Sequence, residues 1–216
     1  MKSKLLFVAL FLFASLAYAR NTTFVIDIDS KPSARFAEVY NDRKEAMLLA
    51  YNTFQPQLPE NLLKLFYYLQ PLLHVVHRDL YEEAEAVSSF LGVDRVSVIL
   101  MNFFAETLVN TNAVVAADLN GTLYHGFNIE VTEHAELFRN LTFEAVFTKK
   151  GKQIFNATMF AGVSGVFSGF RGHEYSVSFG RRIEEQNQFN SVKFVLGTLL
   201  GFSSEGMLLR DTLLTS

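Results

Sequence analysis

At Asn110-Thr111 a helical pattern gives way to strand-like alternation, and a hydroxyl side chain heads the new strand. A cut ahead of Thr111 would leave a free α-amine beside that hydroxyl. Such an amine titrates near ~7.7–8.0 and can accept the proton of its own residue's side chain, which offsets the weak acidity of an alcohol. Asn110 and Thr111 are therefore the candidate self-cleavage pair, with Thr111 the candidate nucleophile. The chemistry this pair suits is attack on an acyl carbonyl.

Other reactive groups are sparse. His74 and His77 lie three apart on a helical pattern, a spacing that could hold a metal. With no third histidine or carboxylate beside them, two ordinary histidines are the better reading, and no metal or cofactor is expected. Glu82, Glu83 and Glu85 read as a solvated helix face. There is no Gly-rich phosphate loop, no G-x-S-x-G and no H-E-x-x-H, so nucleotide and zinc-protease chemistry have no footing. Cysteine is absent, which excludes disulfides, thiolate metal sites and thiol catalysis.

The elements that must position Thr111 follow from periodicity. Residues Thr23 to Asp29 alternate as a half-buried strand, and Ser30-Lys31-Pro32-Ser33 breaks it. Residues 34–92 are helical in pattern. Pro59 suits a first helical turn, Pro71 should kink or end its helix, and Gly92 suits a C-cap. Leu58 to His77 is the most apolar part, either a buried helix or a lipid- or partner-facing surface. Asp94 caps a helix ending near Glu106. From Ala113 onward six short strands are expected, with turns at Asn120-Gly121 and Lys150-Gly151. Two short helices near Asn190–Leu200 and Glu205–Leu214 close the chain. Helices, then a largely antiparallel sheet, then helices again indicate an α+β fold.

The 216 residues suffice for one domain with a full core, or two small lobes sharing one. Residues 1–19 carry a basic start, an apolar run and Ala17-Tyr18-Ala19, the pattern of a cleaved signal peptide. Without Lys2 and Lys4 the formal net charge moves from −3 to −5, and no basic stripe remains to bind nucleic acid. Sequons at Asn21, Asn120, Asn140 and Asn156 agree with a secretory route and glycosylation.

The hairpin resembles the start of the catalytic subunit of the acid ceramidase and N-acylethanolamine acid amidase family. That family runs Asn-x-x-x-Glu, four residues, Cys-Thr-Ser, then Asp-x-x-Gly-x-x-x-His-Gly-Arg-Asn-x-Asp. Asn102, Glu106, Thr111, Asp118, Gly121, His125-Gly126 and Asn128 fall at matching, ungapped spacing. The stretch from Phe24 to Phe36 is similar to the first strand of the family's small subunit, and Phe160 to Phe170 resembles its glycine-rich strand pair.

The resemblance implies an αββα sandwich of the N-terminal-nucleophile hydrolase type, with residues 20–110 as a small-subunit-like region and 111–216 as part of the catalytic one. It further implies self-cleavage and hydrolysis of a fatty-acyl amide bond, in ceramides or N-acylethanolamines. The setting would be the lysosome or extracellular space, with a membrane surface and a lipid-activator protein as partners; it leaves the oligomeric state open.

The residues that would do this chemistry are those that differ. The family's Cys falls on Thr111, its Arg on Phe127, its Asp on Glu130 and its strand Glu on Arg181, ahead of a matched Arg182. Its downstream Asn and Arg fall beyond Ser216. Phe127 cannot supply a cation, and Arg181 reverses a charge, so the pattern weighs against a working amidase site. It suggests instead an Arg181–Glu130 ion pair. The alternatives to an amidase are a catalytically inactive lipid- or protein-binding module, or a truncated product.

Overall fold

The computed structural model describes residues 22–106, 110–130, 133–172, 174–180 and 204–215. Strand β1 (Thr23–Asp27) turns Phe24 and Ile26 inward and Thr23, Val25 and Asp27 outward. It runs parallel beside β4 (Thr142–Lys149), with Phe24 opposite Ala145. From β4 the sheet continues antiparallel through β5 (Lys152–Phe160), β6 (Ser168–Arg171) and β7 (Tyr175–Ser178). Lys150 and Gly151, at φ of 50° and 71°, close the β4–β5 hairpin, the left-handed pair that such a tight turn demands.

Seven helices precede, interrupt or follow these strands among the described residues: α1 (Pro32–Arg35), α2 (Ala37–Phe54), α3 (Glu60–Val76), α4 (Arg78–Leu91), α5 (Arg95–Ala105), α6 (Ala135–Leu141) and α7 (Glu205–Thr215). They bury one face of the sheet. Phe143, Ala145 and Phe147 of β4 and Phe155, Ala157 and Met159 of β5 point into that core, where Phe147 stacks on Phe155 at 4.2 Å. The alternate residues form the outer face, on which Val25 and Phe170 are exposed. The fold is α+β, a mixed sheet with helices, as the order of patterns predicts.

Local punctuation behaves largely as read. Asp94 Oδ2 accepts from the Ser97 N–H at 2.7 Å and opens α5. Gly92 ends α4 in the left-handed region at φ 68°. Pro71 is the exception, because α3 runs through it. The Tyr67 carbonyl, which a residue-71 N–H would have met, accepts instead from Gln70 Nε2 at 3.3 Å. The lost backbone bond is replaced by a side-chain bond one residue earlier, so the helix continues.

Residues 161–167, which read as the end of one strand and the start of the next, form a loop, and β6 begins only at Ser168. The loop's polar backbone is satisfied elsewhere. Ser164 N–H donates to Asn102 Oδ1, Gly162 O accepts from Asn102 Nδ2, and Val166 N–H donates to Gly206 O. With these groups engaged, no ladder forms.

Candidate functional site

Strands β2 (Asn110–Ala117) and β3 (Leu123–Glu130) form a separate two-stranded antiparallel ribbon. Its turn is wider than Asn-Gly alone would give. Asp118 Oδ1 accepts from the N–H groups of Asn120 and Thr122, both at 2.9 Å, and Gly121 takes φ 83°. A five-residue Asx-type loop results, from Asp118 to Thr122.

The register sorts the candidate residues. Thr111 lies opposite Ile129 and Ala113 opposite Phe127. Directly opposed residues project to one side, so Thr111, Phe127, Ile129 and His125 share a face. That face is the inner one: Phe127 and Ile129 pack against the core, and Thr111 is only 7% exposed. Glu130 lies across from Asn110, points to the opposite, exposed side, and accepts from Asn112 Nδ2 at 2.8 Å. Thr111 and Phe127 therefore share one face of the ribbon, while the Glu130 side chain is on the other. Arg181 and Arg182 lie outside the described residues.

His125 seats the ribbon. Its Nδ1 is 2.8 Å from Ser176 Oγ and its Nε2 is 3.0 Å from Ser178 Oγ. Ser176 and Ser178 are two apart on β7, and Ser176 pairs with Phe170 of the outer face. The ribbon thus meets the sheet on the side away from the helices.

Asn102 and Glu106 lie four apart at the end of α5. Asn102 ties down the 161–167 loop through the bonds given above. Glu106 is 1% exposed and accepts from the N–H of Glu205 at 3.0 Å and of Gly206 at 2.9 Å. It therefore caps α7. Burial pushes its carboxyl up to about 7; bonds from Ser204 and the Gly206 N–H pull it down, and the charge of Glu205 pushes it up.

Glu83 corrects the reading of a solvated cluster. It is 1% exposed, bonded to Arg35 Nη1 at 2.8 Å and to both Nη atoms of Arg210 at 2.8 and 2.7 Å. Arg210 is itself 1% exposed and lies over the rings of Phe36 and Phe147. Glu83 falls three after Leu80 and four before Val87, on the buried side of α4. That spacing was the available signal. Glu82, by contrast, pairs with the exposed Arg78.

His74 and His77 are not on one helix. α3 ends at Val76, with His77 at the junction before α4, and His74 stacks on Tyr81 at 4.7 Å. Of the sequons, Asn120 and Asn140 are exposed, Asn156 is half-buried in β5, and Asn21 lies outside the described residues, as do the signal-like residues 1–19 and the helix expected near Asn190–Leu200.

No family model matches the chain. Among curated proteins it is 28% identical over 134 residues to the N-acylethanolamine-hydrolyzing acid amidase of Rattus norvegicus, covering 62% of this chain and 36% of that protein. It is 23% identical over 201 residues to the acid ceramidase of Bos taurus, covering 81% and 49%. It is 24% identical over 167 residues to the N-acylethanolamine-hydrolyzing acid amidase of Caenorhabditis elegans, covering 73% and 47%. The chain spans about half the length, or less, of these relatives. The chain is thus similar in sequence to acid ceramidases and N-acylethanolamine-hydrolyzing acid amidases, at 22–30% identity over up to 81% of its length.

Proposed function

We propose that this chain engages fatty-acyl amide lipids of the class its relatives' names describe, on an αββα framework, and does so without efficient hydrolysis. The observation that carries this reading is the company Thr111 keeps. Its face of the ribbon offers Phe127, an apolar ring packed on the core, where the resemblance calls for a guanidinium. Developing negative charge on an attacked carbonyl needs preorganised donors, and losing one such donor removes on the order of 10²–10³ in rate.

A lipid surface is the setting proposed for this engagement, within the secretory pathway, in the lysosome or outside the cell. Tyr68, Leu72 and Val75 of α3 are 84%, 45% and 80% exposed. Their i, i+4, i+7 spacing makes one uncharged stripe, the kind of surface that lies in a membrane interface. Among the described residues no helix is long and apolar enough to cross a membrane.

A second reading, hydrolysis by Thr111, draws on the register. Glu130 opposite Asn110 is one residue from the amine that cleavage would free. The hydroxyl would then add to the acyl carbonyl and pass its proton to that amine. The leaving amine would depart with a proton, and water would release the fatty acid from the Thr111 ester.

One set of measurements separates the two. Purified protein is incubated at pH 5, run on a denaturing gel, and titrated with a fluorescent N-acyl amide in phosphatidylcholine vesicles. An uncut chain with saturable probe binding, unchanged in Thr111→Ala, is the expected outcome. Two fragments with fatty-acid release that Thr111→Ala abolishes would establish the hydrolase instead. Neither binding nor release would end both readings.

A further inference from the structure

The carboxyl of Glu106 is enclosed more tightly than a helix cap requires. A Cβ built on Gly206 would come within 2.7 Å of Oε1, and one on Gly165 within 3.2 Å, so two glycines are packed against it. Beside it on α7 stands another carboxylate, Glu205, and the 161–167 loop contributes no charged side chain. Along α5, Asn102 is neutral and bonded to that loop. Among the described residues, the cation within a few residues of Glu205, Arg210, is engaged by Glu83 and by the Ser164 carbonyl. The two N–H bonds favour a charged carboxylate; exclusion of water and the repulsion of Glu205 oppose it.

We propose that Glu106 is a protonation-controlled latch for α7: with its carboxyl neutral, the helix N-terminus is held against α5 and the 161–167 loop, and with it ionised that helix loosens. The undocked state returns the carboxyl to water and its ordinary value near 4.5, whereas docked it stands at about 7. A group raised in the docked state stabilises that state fully below 4.5, and the contribution is lost as pH rises through 7. Docking is then on the order of fifty-fold more favourable at pH 5 than at pH 7.4.

Hydrogen exchange of the full chain tests it, read as protection factors corrected for the intrinsic effect of pH. Amides of Glu205–Thr215 should lose protection by tens-fold between pH 5 and 7.4, while those of β4 and β5 do not. In Glu106→Gln, which stays neutral, α7 should exchange with one protection factor at both values. If that variant does not fold, Glu205→Gln decides: removing the repulsive neighbour lets docked Glu106 ionise more readily, so the loss of protection should be complete at lower pH and smaller in extent. Protection in α7 that ignores pH in the native chain, a pH response that survives Glu106→Gln, or a transition that Glu205→Gln leaves in place overturns the latch.

Discussion

Glu83 shows how much one buried charge can commit a fold. Its two oxygens join guanidiniums from α1 and α7, and Arg210 is fully enclosed with it. Removing one member of such a set leaves the others buried without compensation, which typically costs about 3–5 kcal/mol. Glu83→Ala should accordingly lower the urea midpoint steeply, whereas Glu82→Ala, on the exposed Arg78 pair, should leave it nearly unmoved. Equal effects of the two would contradict the burial described. The pair also marks the boundary of what residues reveal by themselves. Three glutamates within four positions look alike, and the partner that distinguishes Glu83 lies 127 residues away. Thr111 was visible because its type and place agree, at the head of a strand. That Glu130 points away from it required the register, since one position changes the face.

At the scale of elements, the helix signals that act within a few residues were legible. Asp94 and Gly92 do what their side chains and backbone freedom dictate. The signals that failed are those with a distant partner. Residues 163–167 have strand composition, but Asn102 and Gly206 take their backbone groups and leave a loop. Asn102 therefore acts on an element sixty residues ahead of it. Asn102→Ala strands the buried Ser164 N–H and should cost about 1–3 kcal/mol in a denaturant titration. Pro71 offers the opposite sign. α3 already tolerates it, so Pro71→Ala restores a donor to the Tyr67 carbonyl and should raise the melting temperature, the gain tempered by the freer unfolded chain. A melting temperature that falls would mean that Gln70 already replaces the missing donor in full and that the freer unfolded chain decides the sign.

For the whole molecule, the decisive pairing is the parallel one between β1 and β4. Parallel neighbours need a crossover, and this one consists of α1 to α6 and the ribbon, a connection no local alternation can announce. Its consequence is that the segment before Asn110 and the segment after it are not separable bodies. β1 supplies a strand to a sheet otherwise made from residues beyond 140. Glu83, bonded to Arg35, holds Arg210, Asn102 holds the 161–167 loop, and Glu106 holds α7. Phe24 meets Phe143 edge-on at 5.7 Å across the same divide. A chain cut between Asn110 and Thr111, by itself or by a protease at an engineered site, should therefore keep its fold. The fragments should co-elute in gel filtration at pH 5 with the circular dichroism of the uncut protein, and part only in denaturant. If Glu106 acts as a latch, raising the pH to 7.4 loosens α7 in the cut protein without releasing the fragment, because β1, Asn102 and the aromatic core still span the break. Fragments that separate under native conditions would mean that these crossing contacts do not hold one core, and the functional readings built on that core would go with them.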